Sequence, residues 1–143
     1  MNGLEDEEAL AAHILRTFHR IAVVGLSDDP ARPSYDVARY LRGAGYDIVP
    51  VNPMISRWQD LPAYPDLRAA PAPIEVVDVF RRSELVEPVV ADAIAIGARA
   101  VWMQDGVVNL AAAAAARAAG LLVVMNRCML RDHRRVRAMS DER

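Results

Sequence analysis

The run Ile21-Ala22-Val23-Val24 is apolar without a break and stops at Gly25. A strand with one wet face alternates apolar and polar residues. An unbroken run belongs to a strand covered on both faces, as in a parallel sheet. Such a sheet needs crossover connections, usually helices, so this one stretch already points to an α/β architecture. Gly25 supplies a sharp turn and room for a close backbone or ligand. The polar segment that follows leads to Ser34, expected to N-cap a helix carrying Val37, Ala38 and Leu41. Strand, glycine turn and helix N-terminus together suit a phosphate, because unpaired N–H groups and the positive end of the helix dipole face the same point. Arg32 adds a guanidinium nearby. An ordinary βα turn with a surface arginine fits the same residues, since the glycine motif is partial.

The pattern repeats along the chain. Leu4 to Phe18 reads as an amphipathic helix with Leu10, Ile14, Leu15 and Phe18 on one face. A helix from about Tyr35 to Arg42 ends at Gly43 and Gly45, and a second strand, Asp47 to Val51, is stopped by Asn52-Pro53. Pro62, Pro65, Pro71 and Pro73 exclude a long helix between Met54 and Pro73, leaving a loop with one short helical turn near Asp66 to Ala70. Glu75 to Phe80 is the third strand. Glu87-Pro88 opens the next helix, which ends at Gly97. Ala100 to Met103 is the fourth strand, Asn109 caps an alanine-rich helix ending at Gly120, and Leu121 to Met125 is the fifth strand. The arginine-rich segment from Met129 to Arg143 is compatible with a further helix. These elements predict one domain over residues 1–143: a doubly wound, five-stranded parallel sheet in the order 3-2-1-4-5, with an extra N-terminal helix over 1–19 and a tail over 129–143.

Composition narrows the function classes. A chain of 143 residues with 53% apolar residues and a net charge of −2 has a globular composition, not a disordered one. No apolar run approaches the ~20 residues of a membrane span. The acidic start, Glu5 to Glu8, does not read as a signal peptide. A single cysteine excludes an internal disulfide, and with these features a cytoplasmic setting is expected. The chain contains no lysine, so no mechanism can use a catalytic one. The tail arginines Arg131, Arg134, Arg135 and Arg137 lack interleaved aromatics in a slightly acidic protein, so a solvated or oligomer-contacting helix is expected there and no nucleic-acid partner.

In a doubly wound sheet the ligand lies outside the carboxyl ends of the strands. The segments there are Gly25-Leu26-Ser27, Asn52-Pro53 after Val51, Phe80-Arg81-Arg82-Ser83, Gln104-Asp105-Gly106 and Asn126-Arg127-Cys128. Each has a plain reading as a turn or a solvated charge, but five polar or glycine-bearing segments on one edge favour a binding cleft. The NAD pattern is not met. The turn after Gly25 lacks G-x-G-x-x-G, and Asn52 stands where an acid would hold the ribose. Catalytic and metal-ligating sets are not evident. His13, His19 and His133 lie away from strand ends, and Asp78 lies within a strand, either facing the cleft or supporting the strand by a hydrogen bond. Arg127 can favour the thiolate of Cys128, although a free cysteine is most often a small buried hydrophobe.

Five segments carry a family resemblance. Val-Val-Gly-Leu-Ser (23–27) followed by Arg-Pro-Ser-Tyr (32–35), Val-Pro-Val-Asn-Pro (49–53), Val-Asp-Val-Phe-Arg-Arg-Ser (77–83), Ala-Ile-Gly-Ala-Arg-Ala-Val-Trp-Met-Gln-Asp-Gly-Val (95–107) and Met-Asn-Arg-Cys (125–128) resemble the small bacterial CoA-binding proteins. These are stand-alone relatives of the N-terminal domain of the succinyl-CoA synthetase α subunit. The likeness spans about Ile21 to Met129 and implies a Rossmann-like fold with coenzyme A, or a CoA thioester, as ligand. By that likeness Gly25, Ser27, Arg32 and Ser34 match the phosphate-binding turn, and Asn52 and Pro53 the loop flanking the nucleotide. Phe80 and Arg81 match the third-strand segment, and Gln104 and Gly106 the segment near the pantetheine. Leu26, Arg127 and Cys128 complete the candidate set at the strand ends. Met129 departs from the proline the family usually has after the cysteine. The phosphohistidine of the synthetase belongs to a second domain without a counterpart here, so synthetase activity is not expected. A CoA-binding module without chemistry of its own is the first expectation. The alternative is an enzyme, or an enzyme subunit, acting on an acyl-CoA or on another nucleotide such as NAD(P). A homo-oligomer and a partner enzyme subunit are both compatible with the sequence.

Overall fold

The computed structural model describes residues 3–141. The elements run α1 (Gly3–Thr17), β1 (Arg20–Val24), α2 (Pro33–Gly43), β2 (Asp47–Val51), β3 (Arg57–Trp58), β4 (Leu61–Pro62), β5 (Val76–Val79), α3 (Val86–Ala95), β6 (Ala100–Met103), α4 (Leu110–Ala118), β7 (Leu122–Val124) and α5 (Met129–Asp141). β2, β1, β5, β6 and β7 form one five-stranded sheet, paired in parallel throughout. It is the Rossmann-like α/β sheet with an added N-terminal helix that the strand spacing predicts.

Alternation along each strand divides the core into two layers. Ile21, Val23, Val76, Trp102 and Val124 face α1, α2 and α5, while Ala22, Val24, Val77, Val79, Val101, Met103 and Val123 face α3 and α4. The valine runs are therefore unbroken because both faces are covered, and each buried valine contributes roughly 1.5–3 kcal/mol. The alanines of α4 allow close approach: Ala112, Ala113 and Ala116 are buried against the sheet. Asn109 caps that helix, accepting the Ala112 N–H at 2.9 Å, as its sequence predicts.

The strand order requires a correction. The predicted order places Glu75–Phe80 outside β2, but β5 pairs with β1 and β6 instead. The position outside β2 is held by Tyr64, through one parallel bridge to Val51. The Tyr64 N–H donates to Pro50 O at 3.0 Å, and Tyr64 O accepts from the Asn52 N–H at 2.8 Å. The chain then returns under the sheet to the other side of β1. The Arg20 guanidinium donates to the carbonyls of Pro71 (2.9 Å) and Pro73 (2.8 Å), and the Glu75 carboxylate accepts the N–H groups of His19 (3.0 Å) and Arg20 (2.9 Å). These two N–H bonds hold the Glu75 carboxyl below its usual range.

The segment between β2 and β5 also differs from the expected loop with a helical turn. Residues 66–70 form turns only, with the Ala69 N–H on Asp66 Oδ1. Ahead of them β3 and β4 make a short antiparallel hairpin that buries Trp58 completely. α3 starts at Val86, after a 3₁₀ turn over Ser83–Leu85, so Pro88 lies inside the first turn, where its missing N–H is not needed.

Candidate functional site

β1 is followed by α2 on one side of the sheet, and the chain later crosses β1 to enter β5 on the other. The carboxyl ends of β1 and β5 are therefore the topological switch point. Gly25 and Phe80 meet there. The Gly25 N–H donates to Val51 O at 2.8 Å and the Phe80 N–H donates to Val24 O at 2.8 Å, lacing the ends of β2, β1 and β5 together. Gly25 has φ +86°, and a Cβ on it would stand 2.2 Å from Phe80 O. Both the conformation and the contact exclude any larger residue.

The loop from Leu26 to Arg32 is fixed by its own polar side chains. The Ser34 hydroxyl accepts the Ser27 N–H (3.0 Å), the Ser27 hydroxyl accepts the Asp29 N–H (3.0 Å), and Asp29 Oδ1 accepts the Ala31 N–H (2.9 Å). This revises the role expected of Ser34. The helix begins two residues earlier, at Pro33 instead of Tyr35, and the N-cap position is Arg32, with no side-chain cap. Proline fits the first helical position because it has no N–H to satisfy, which leaves buried Ser34 free to hold the loop. Gly25, Ser27, Arg32, Pro33, Ser34 and Phe80 line one open cleft of about 300 Å³. Arg32 is exposed, and among the described residues its guanidinium has no ion-pair partner.

The other predicted residues are distributed around this cleft. Leu26 is wholly buried, and its carbonyl accepts the Asn52 side-chain amide at 2.9 Å. Asn52 also accepts the Met54 N–H at 2.9 Å, so it clamps two strand ends, with Pro53 exposed beside it. Arg81 lines an adjoining cavity of about 250 Å³ with Val24, Val51, Leu67, Leu85 and Val89, and the acids Asp66 and Asp92 stand at the same cavity. Leu67, Leu85 and Val89 were beyond sequence reasoning, because their approach depends on where the loop after Tyr64 crosses the strand ends.

Gln104 is turned inward. Its side-chain amide donates to Asp78 Oδ1 at 2.6 Å, and both residues are buried (2% and 0% exposed). Asp78 thus faces the core rather than the cleft. Burial pushes its carboxyl up to about 8, against a smaller lowering by the Gln104 hydrogen bond. Gly106 (φ +81°) donates its N–H to Asn126 Oδ1 at 2.7 Å, joining the last two strand ends.

Arg127 is turned onto Asp132, with Nε to Oδ2 and Nη2 to Oδ1 both at 2.7 Å. That hydrogen bond, with weaker attraction from Asp132, Glu8 and Glu7, holds the Arg127 guanidinium above its ordinary range. The expectation that Arg127 serves the Cys128 thiol gives way to this pairing. Arg131, in the first turn of α5, is paired with Asp105. Cys128 is half-buried against the core, and Met129, fully buried, opens α5 at the position where the resemblance expects proline. Elsewhere in the tail, Arg134 stands 5.2 Å over the Tyr40 ring and Arg135 donates to Glu8 O at 3.2 Å. A separate groove of about 440 Å³, lined by Arg16, Tyr46, His133 and Arg137 among others, lies at the opposite, amino edge of the sheet.

A doubly wound parallel sheet with a glycine turn and a helix N-terminus at its switch point defines a Rossmann-like α/β domain. Within that class the chain belongs to the CoA binding domain family, whose model matches residues 19–134. It is 40% identical over 120 residues to the uncharacterized protein YneT of Bacillus subtilis (strain 168), covering 84% of this chain and 89% of that one. A hypothetical protein from Pyrococcus horikoshii OT3 superposes with a TM-score of 0.87 at 40% identity, over 90% of this chain and 91% of the other. A protein from Thermus thermophilus does so with a TM-score of 0.83 at 32% identity, over 95% and 99%. No helix among the described residues is long and apolar enough to cross a membrane.

Proposed function

We propose that this chain binds coenzyme A, or a CoA thioester, at the carboxyl edge of its sheet, and performs no chemistry on it. The observation that carries the reading is the cleft at the switch point. Gly25 keeps the turn clear of side-chain atoms, the positive end of the α2 dipole opens at the cleft residues Pro33 and Ser34, and Arg32 stands at the helix start without an ion-pair partner among the described residues. That donor set fits the phosphates of CoA, and a charge-assisted contact from a guanidinium is among the stronger hydrogen bonds available. The adjoining cavity of Val24, Leu67, Leu85, Val89 and Arg81 suits an uncharged part of the same molecule. The strand ends continue past Gly106 toward Cys128, offering the thiol-bearing arm a path. Bound CoA would supply a thiol or thioester; the residues of this chain bind and orient it. Family membership supports CoA over other nucleotides, and Asn52 supports it over NAD, because its amide is engaged by Leu26 O instead of presenting an acid to a ribose. Calorimetric titration with CoA and with NAD tests the reading. CoA is expected to bind far more tightly; equal affinities, or a preference for NAD, would overturn it.

A further inference from the structure

Asp78 sits in the middle of β5, in register with Val23 of β1 and Trp102 of β6. It is 0% exposed. Among the described residues its one side-chain partner is a neutral amide, the Gln104 Nε2 at 2.6 Å, and its Oδ2 has none. A buried carboxylate with one neutral donor and no cation is strongly disfavoured, so this geometry by itself selects the neutral acid.

The charged groups on the packed elements do not change that. Over this face, α1 offers Glu7, which accepts the Met125 N–H, and Glu8, which lies near Arg127. The buried face of α2 carries only Ser34, Val37, Ala38 and Leu41. α5 and the turn before it offer Cys128, His133, and the Arg127, Asp132 and Arg135 cluster, whose members are paired with one another. Beyond β6, Asp105 is paired with Arg131. None of them is among the influences on the Asp78 carboxyl, which are burial, first, and the Gln104 hydrogen bond.

Phe80, which closes the phosphate cleft against Gly25, is two residues further along the same strand, roughly 7 Å at the usual strand rise. The Asp78–Gln104 bond therefore cross-links β5 and β6 directly beneath the cleft. We propose that Asp78 is a positioning residue that makes ligand binding at the switch point proton-linked: an anionic ligand in the cleft and an ionised Asp78 disfavour one another. Ionisation releases the proton to solvent and leaves below the cleft a charge whose side-chain partner is only the neutral Gln104 amide, and that charge repels the ligand's phosphates. The inference rests on the proposal that CoA occupies this cleft. At a separation of roughly 10 Å and an effective dielectric constant of about 20, each like-charge pair costs about tenfold in affinity.

The test is CoA affinity as a function of pH for the wild-type protein and Asp78→Asn. From about pH 6.5 to about pH 9 the wild-type affinity is expected to fall about tenfold more than that of the variant; the ligand's own ionisations are common to both. Equal falls would overturn the inference while leaving the CoA site standing. Failure of the wild-type protein to bind CoA at about pH 6.5 would overturn both. The wild-type protein alone gives an independent reading that does not depend on the variant folding. In ¹³C carboxyl spectra, the Asp78 midpoint is expected to rise when CoA is bound, and an unchanged or lower midpoint counts against the linkage.

Discussion

Arg32 is the residue on which the proposed site turns. It is exposed, it stands at the start of α2, and it lacks an ion-pair partner among the described residues, so its removal costs the fold little. A charge-assisted hydrogen bond is worth roughly 1.5–3 kcal/mol. Arg32→Ala is therefore expected to weaken CoA binding about tenfold or more with an unchanged melting temperature. Unchanged affinity would return Arg32 to the solvated surface. Asp78 makes a prediction about stability, separate from binding. Its folded value of about 8 lies above its ordinary unfolded one. The folded state thus holds a proton that the unfolded state releases above about pH 4. The stability tied to that proton is fully present below the unfolded value and is lost as pH rises, until the folded group also ionises near 8. The slope of that loss is at most about 1.4 kcal/mol per pH unit. Asp78→Asn should remove it, so the stability difference between variant and wild type should shift in favour of the variant from about pH 4 to about pH 8. A difference that stays constant with pH would show an ordinary carboxyl.

Between elements, the Arg127–Asp132 pair is the strongest polar tie near the site. It joins the turn after β7 to the first turn of α5 by two bonds of 2.7 Å. The side chains are only 14% and 7% exposed, so neither charge is well solvated. Removing one partner of a buried pair costs about 3–5 kcal/mol when the other is left uncompensated, and without Arg127 the Asp132 carboxylate keeps only the longer 3.6 Å contact to Arg135. Arg127→Ala is expected to destabilise by about that order in chemical denaturation, with α5 loosening first in hydrogen exchange. A change below about 1 kcal/mol would mean that the pair is solvated and weak. Sequence spacing showed that Arg127 adjoins Cys128, but not that a helix would deliver Asp132 to its guanidinium. Neighbours in sequence were legible, and partners one helical turn away were not. Ser34 carries the same lesson: a serine before a helix suggests a cap, but Pro33 can take the first helical position itself and release the hydroxyl to the loop.

Across the whole molecule, the strands were legible because their two-sided burial writes unbroken valine runs, and the helices because Gly43, Gly97 and Gly120 mark their ends. The order of the strands was not. It depends on Tyr64 taking the outer edge of β2 and on Glu75 receiving the His19 and Arg20 N–H groups, contacts between segments distant in sequence. The turn from Gly25 to Ser34 that lines the proposed phosphate cleft was legible because it is a local motif. The inward turn of Gln104 and the burial of Leu26 required the packed sheet. The correction to strand order strengthens the placement of the site, since it makes Gly25 and Phe80 direct neighbours at the switch point. Amide chemical-shift mapping during a CoA titration tests that placement most directly. The account predicts the largest shifts at Gly25 to Ser34 and at Phe80 and Arg81, with the groove of Arg16, His133 and Arg137 at the opposite edge unmoved. Shifts centred on that groove, or none at saturating CoA, would contradict it.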